Sequence, residues 1–127
     1  MKHESSVRYP APIEVVIRMF TDRDFHVRKL DRLASGSYEV LDHENDGQHF
    51  RIRIERRVPV QMPGLMKKAA PSETRVVNEE HWDIASRTGR VLVEPQGMPV
   101  EMSCETRMQE ADGECVVSYS WNVKAKI

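Results

Sequence analysis

The chain is short of cysteine, of aromatic residues and of net charge, and each shortage excludes something. Two cysteines in 127 residues supply neither a disulfide scaffold nor a four-cysteine zinc site. Nineteen basic residues against twenty acidic ones leave a formal charge of −1. That balance argues against a phosphate-binding surface, and so against nucleic acid as a partner. No apolar run reaches the roughly 18 residues of a membrane-spanning helix. The opening Met1-Lys2-His3-Glu4-Ser5-Ser6 lacks the apolar stretch of a signal peptide, which makes the cytoplasm the expected location. Histidines at 3, 26, 43, 49 and 81 show no H-E-x-x-H spacing, and no Cys-x-x-Cys occurs, so no metal is expected. Without a glycine-rich phosphate loop or a Ser–His–Asp arrangement, no cofactor is expected either. What is present, 39% apolar and 31% charged residues, suits one globular domain over 1–127 with a single core.

Periodicity divides the chain in two. Residues 2–9 alternate as a strand, and Pro10 and Pro12 stop it. Ile13, Val16, Ile17 and Phe20 then fall at helical spacing, predicting a short helix over 12–20. Thr21, with Asp24 three residues on, reads as the N-cap of a second helix from 22 to about 34. That helix turns Phe25, Leu30, Leu33 and Ala34 inward and ends at Gly36. From Ser37 the period is two, with strands expected over 37–43, 48–58, 74–84, 90–94, 99–109 and 114–126. Turn residues separate them, and one long connection spans 59–73, where Leu65 to Ala70 could make a single helical turn.

Turn geometry tests the strand faces. A two-residue loop at Asp112-Gly113 sets Met108 opposite Val117, Thr106 opposite Tyr119, Cys104 opposite Trp121 and Met102 opposite Val123. One face of this hairpin is then apolar, with Trp121 a large buried aromatic, and the two cysteines lie too far apart to bridge. A three-residue loop at Asn45-Asp46-Gly47 sets Ile52 opposite Val40 and Ile54 opposite Tyr38. A loop over 86–89 sets Trp82 opposite Val93 and Ile84 opposite Val91. The inner face of the fourth strand then carries Val76, Asn78 and Glu80, and His81 points outward. The arginines at 51, 53, 56 and 57 alternate partly onto the outer face, where Glu55 and the opposing Glu39 and Asp42 balance them, and read as a solvated, ion-paired face in preference to an anion site. The seven methionines suit an adaptable cavity, although core filling is the simpler reading.

One strand, two short helices and six strands in a meander resemble the helix-grip fold of the START-like (SRPBCC) superfamily, an α+β architecture. The residues that carry the likeness are Met1-Lys2-His3-Glu4, the Trp82 strand, Gly97-Met98-Pro99-Val100 and Trp121-Asn122-Val123-Lys124. They are most similar to a bacterial branch of the superfamily described as a domain of unknown function. The resemblance implies a long C-terminal helix across the concave face, and the sequence ends at Ile127 where that helix would begin. The apolar face therefore calls for cover by such a helix, by a homodimer or by a bound ligand. The resemblance also implies a small apolar or amphipathic ligand, lipid-like, in a hydrophobic cavity on that face, without catalysis. Its expected lining is Tyr38, Ile52, Ile54, Asn78, Glu80, Trp82, Met102, Cys104, Thr106, Tyr119 and Trp121. One alternative is a small cyclase- or hydratase-like enzyme. In it Glu80, its pKa raised by the apolar interior, acts as acid or base. A second is an interaction module that uses the uncovered face.

Overall fold

β1 (Lys2–Tyr9) runs along one edge of a seven-stranded antiparallel sheet, and the chain then passes through two helices before building the other six strands. The computed structural model describes residues 2–33, 37–59 and 73–125. The helices are α1 (Ile13–Phe20) and α2 (Arg23–Leu33). The meander is β2 (Tyr38–Asn45), β3 (His49–Pro59), β4 (Glu73–Asp83), β5 (Thr88–Pro95), β6 (Val100–Ala111) and β7 (Glu114–Ala125). The spatial order is β1-β7-β6-β5-β4-β3-β2, so β7 returns to pair with β1. Ala34, Gly36 and the segment Leu65 to Ala70 lie outside the described residues, as does the side chain of Leu33.

α1 forms because Ile13, Val16, Ile17 and Phe20 make one apolar stripe, and all four are buried against the sheet. Thr21 is not the N-cap of α2. Its hydroxyl donates to the Ile17 carbonyl (2.7 Å) and closes the end of α1. The cap is Asp22, whose carboxylate accepts the Asp24 N–H at 2.9 Å. Phe20 meets Trp82 edge-on at 5.6 Å, meets Tyr9 edge-on at 5.7 Å and stacks on Phe25 at 5.7 Å. This aromatic knot lies between the helices and the concave face. Phe50, Ile52, Ile54, Met108, Cys115 and Val117 complete the core.

The β6–β7 register agrees with the turn-based expectation throughout, from Ala111 opposite Glu114 to Met102 opposite Val123. Asp112 (φ 53°) and Gly113 (φ 77°) are both left-handed, as a two-residue hairpin turn of matching twist requires. Two other registers differ from expectation. In β2–β3, Val40 faces Ile54 and Tyr38 faces Arg56, two residues from the expected pairing. The loop between the strands is Asp46-Gly47-Gln48, one residue later than expected, and the first ladder pair is Asn45 with Phe50. Asp46 organises it by accepting the N–H groups of Gln48 and His49 at 2.8 and 2.7 Å. The register also shifts between Val40 and Asp42, leaving Leu41 as a bulge. In β4–β5, Trp82 faces Gly89 and Glu80 faces Val91. The turn there is Ile84-Ala85-Ser86-Arg87. Asp83 accepts the Arg87 and Ser86 N–H groups, through its carbonyl and its carboxylate respectively, and Arg87 is left-handed. The β2–β3 slip is three residues beside the turn and two beyond the Leu41 bulge, and the β4–β5 slip is four; the inward-facing sets expected for β3 and β4 are unchanged.

Candidate functional site

The concave face carries a cavity of about 240 Å³ between α2 and the strands β2 to β5. The local sequence sets its walls. Ile52, Ile54 and Arg56 share one face of β3, Asn78 and Glu80 the facing side of β4, and Val91 follows on β5. α2 supplies the roof with His26, Lys29 and Leu30, one helical turn apart. Two bonds hold that roof in place. The Tyr38 hydroxyl donates to Asp31 at 2.5 Å, tying the far end of α2 to β2. That acceptor raises the Tyr38 pKa, because ionisation would break the bond. Asn45 donates to the Thr21 carbonyl at 3.1 Å and ties the α1–α2 junction to the same strand.

One end of the cavity is polar and deep. Glu80 accepts the Trp82 indole N–H at 2.7 Å, and its Oε2 lies 3.7 Å from His26 Nε2. His26 is 3% exposed, stacks on Phe50 and donates through Nε2–H to the Phe20 carbonyl at 2.7 Å. Burial holds its pKa below the ordinary histidine value, against the upward pull of Glu80, so the neutral ring is the resident form. The other end is cationic. Arg56 donates through Nε to Asn78 Oδ1 at 3.1 Å, and Arg57, Val58 and Ser37 complete the rim.

Five residues expected to line a cavity come together here: Tyr38, Ile52, Ile54, Asn78 and Glu80. Trp82, Cys104 and Thr106 are on the same face but are packed within it, each under 5% exposed. Met102, Tyr119 and Trp121 lie farther across the sheet, half-buried and outside this cavity. Trp121 is therefore not the deeply buried aromatic that its register suggested: it is half-buried and is not among the side chains packed on the core. Burial, with Tyr9 beside it, pushes the Tyr119 phenol well above its ordinary value. Sequence reasoning missed His26, Lys29, Leu30 and Val91. It also missed Arg56, which shares its face with Ile52 and Ile54 instead of joining Arg51 and Arg53 outside. Counting by two from Ile54 finds Arg56, and His26 and Leu30 fall at i and i+4 on the inner stripe of α2. His81, as expected, lies on the outer face, 3.5 Å from Glu79. Among the described residues no group of three or more His, Cys, Asp and Glu side chains is placed to hold a metal ion. Nor is any helix there long and apolar enough to cross a membrane.

Comparison with known proteins agrees with this architecture. Solved structures similar to the chain include three that match it over almost its whole length. The Thermus thermophilus protein TTHA0849 has a TM-score of 0.65 at 19% identity, with 100% of this chain covering 76% of that one. The Zhui aromatase/cyclase from Streptomyces sp. R1128 has a TM-score of 0.62 at 19% identity, with coverage of 100% and 70%. Norcoclaurine synthase from Thalictrum flavum has a TM-score of 0.59 at 12% identity, with coverage of 99% and 70%. At these identities the likeness establishes the fold, and the fold is the START-like helix grip. No curated protein matches the chain. Residues 4–127 match the family described as "Protein of unknown function (DUF2505)", and the chain belongs to that family.

Proposed function

We propose that this member of the DUF2505 family binds a small apolar or amphipathic molecule in the cavity between α2 and the concave face of β2–β5, as a carrier or sensor. The observation that carries this reading is the cavity itself. It is about 240 Å³ in size, and Leu30, Ile52, Ile54 and Val91 make it apolar. Polar groups reach it at defined points, through Glu80 and His26 at one end and Arg56 and Asn78 at the other. Apolar walls with a few placed polar groups are the usual form of a small-molecule site. A neutral environment-sensitive dye such as Nile red tests it. The wild-type protein should bind the dye with a blue shift, and Val91→Phe, which fills the cavity, should lose that signal. Equal binding by a folded Val91→Phe protein would place the dye elsewhere and overturn the reading.

A second reading, an acid–base enzyme of the cyclase or hydratase kind, draws on one observation. The Glu80 carboxylate faces the cavity 3.7 Å from a neutral histidine. Under it, Glu80→Gln would abolish turnover of a bound substrate and leave binding intact.

A further inference from the structure

We propose that the ligand of this cavity is an anionic amphiphile, an alkyl carboxylate or an equivalent acid. Its head sits at Arg56, with Arg57 beside it at the rim, and its tail lies along Ile52, Leu30 and Val91. The inference rests on the binding reading above and adds the charge and the orientation of the ligand.

The argument starts from charge. Lys29, Arg56 and Arg57 all line the cavity. Among the described residues none of the three forms an ion pair. Lys29 Nζ lies over the Phe25 ring, 5.5 Å from its centroid and on the His26 side, so Arg56 and Arg57 are the cations of the rim. Three carboxylates of the surrounding elements are engaged elsewhere. Asp31 accepts the Tyr38 hydroxyl, Glu55 faces Arg75 at 3.7 Å, and Glu80 accepts from Trp82. Residues 60–72, which follow β3, contain no Asp or Glu in their sequence. Arg56 is the strongest of the three candidates. It is half-buried on the concave face, and Asn78 holds its Nε. Fixed in this way, its two terminal nitrogens form a planar fork suited to a carboxylate. A half-buried guanidinium on an apolar wall gains more from an anion than an exposed one would.

Orientation follows from the register. Glu80 pairs with Ile52 and Arg56 with Val76, so their backbones lie about 13 Å apart at strand spacing, with Asn78 between them holding the Arg56 Nε. The carboxylate of Glu80 repels an acidic head at the deep end, and the cations at the other end attract it. An anionic amphiphile therefore enters one way round, tail first. Size sets the class. The cavity, about 240 Å³, lies just below the usual range of small-molecule sites. That suits a medium-length chain.

Calorimetric titration of the folded protein with octanoate and with octanol tests this, both kept below self-association. Octanoate should bind about tenfold more tightly at low ionic strength, and the advantage should shrink as salt is raised. Arg56→Gln, which keeps a donor for Asn78, should remove most of the advantage. Lys29→Gln, whose ammonium lies over Phe25 toward the other end, should leave most of it in place. Equal affinities for the two probes, or an octanoate affinity indifferent to salt and to Arg56→Gln, would overturn the anionic assignment and leave the cavity reading standing. Failure of both probes to bind would overturn both.

Discussion

Trp82 lies directly across the β4–β5 ladder from Gly89, and a Cβ on that glycine would stand 2.6 Å from both the indole Cδ2 and the Thr106 hydroxyl. The glycine therefore serves packing and not the turn. Its missing side chain is the space into which the indole ring fits, and the ring in turn carries Phe20 on its other side. Trp82 also donates to Glu80, so the same packing fixes a cavity carboxylate.

Gly89→Ala should accordingly destabilise the protein by about 1–3 kcal/mol, the usual cost of forcing atoms into a filled core. Thr106 can rotate away, but the indole is a rigid ring held between Phe20 and the sheet. A lowered chemical-denaturation midpoint with an unchanged slope is the expected result. An unchanged midpoint would mean that Trp82 moves at little cost.

The two tryptophans should separate clearly. Trp82 is 2% exposed within the aromatic knot, whereas Trp121 is half-buried and not among the side chains packed on the core. Trp82→Ala should cost about 3–5 kcal/mol, as large buried aromatics do, and Trp121→Ala clearly less. Denaturation of both variants checks this, and equal losses would show that the far end of β7 is covered in solution.

How far the sequence shows all this depends on what fixes each element. The β6–β7 hairpin was legible because Asp112-Gly113 admits one tight turn geometry, and a period-two pattern then carries the register along twelve residues. The β4–β5 turn was not. Ile84-Ala85-Ser86-Arg87 contains no glycine or proline, and Gly89 drew the turn toward itself although it is needed opposite Trp82. The Leu41 bulge likewise leaves no mark in a pattern of alternation. For the cavity, the strand residues Ile52, Ile54, Asn78 and Glu80 followed from parity alone. The roof did not, because the placement of α2 depends on Tyr38–Asp31 and Asn45–Thr21, side-chain bonds that no periodicity reveals.

Both thiols should be inert in the native state. Cys104 and Cys115 are free and fully buried, and burial raises both pKa values. A disulfide-exchange reagent at neutral pH should therefore titrate neither within minutes, and should titrate two per chain once denaturant is added. Rapid reaction of one thiol in the native protein would show that its strand opens locally.

His26 should make stability depend on pH in the mildly acidic range. Its burial against Phe50 disfavours the charged ring, chiefly through desolvation, and nearby Lys29 adds to this. Glu80, the bond to the Phe20 carbonyl and Asp22 pull the other way but do not reverse the shift. The folded pKa is thus below the unfolded one. As pH falls past about 6.5 the unfolded chain takes up a proton that the folded chain does not, so folding is favoured less. The loss continues until the pH reaches the folded pKa and then levels off. Denaturation midpoints at pH 7.5 and pH 5.5 should show the fall in the wild-type protein. His26→Gln, which can still donate to the Phe20 carbonyl, should flatten that interval even if it lowers stability overall. A wild-type midpoint that rises between pH 7.5 and pH 5.5 would mean that the pair with Glu80 outweighs desolvation. The cavity would then hold an imidazolium–carboxylate pair, and the neutral-ring account of its deep end would fall.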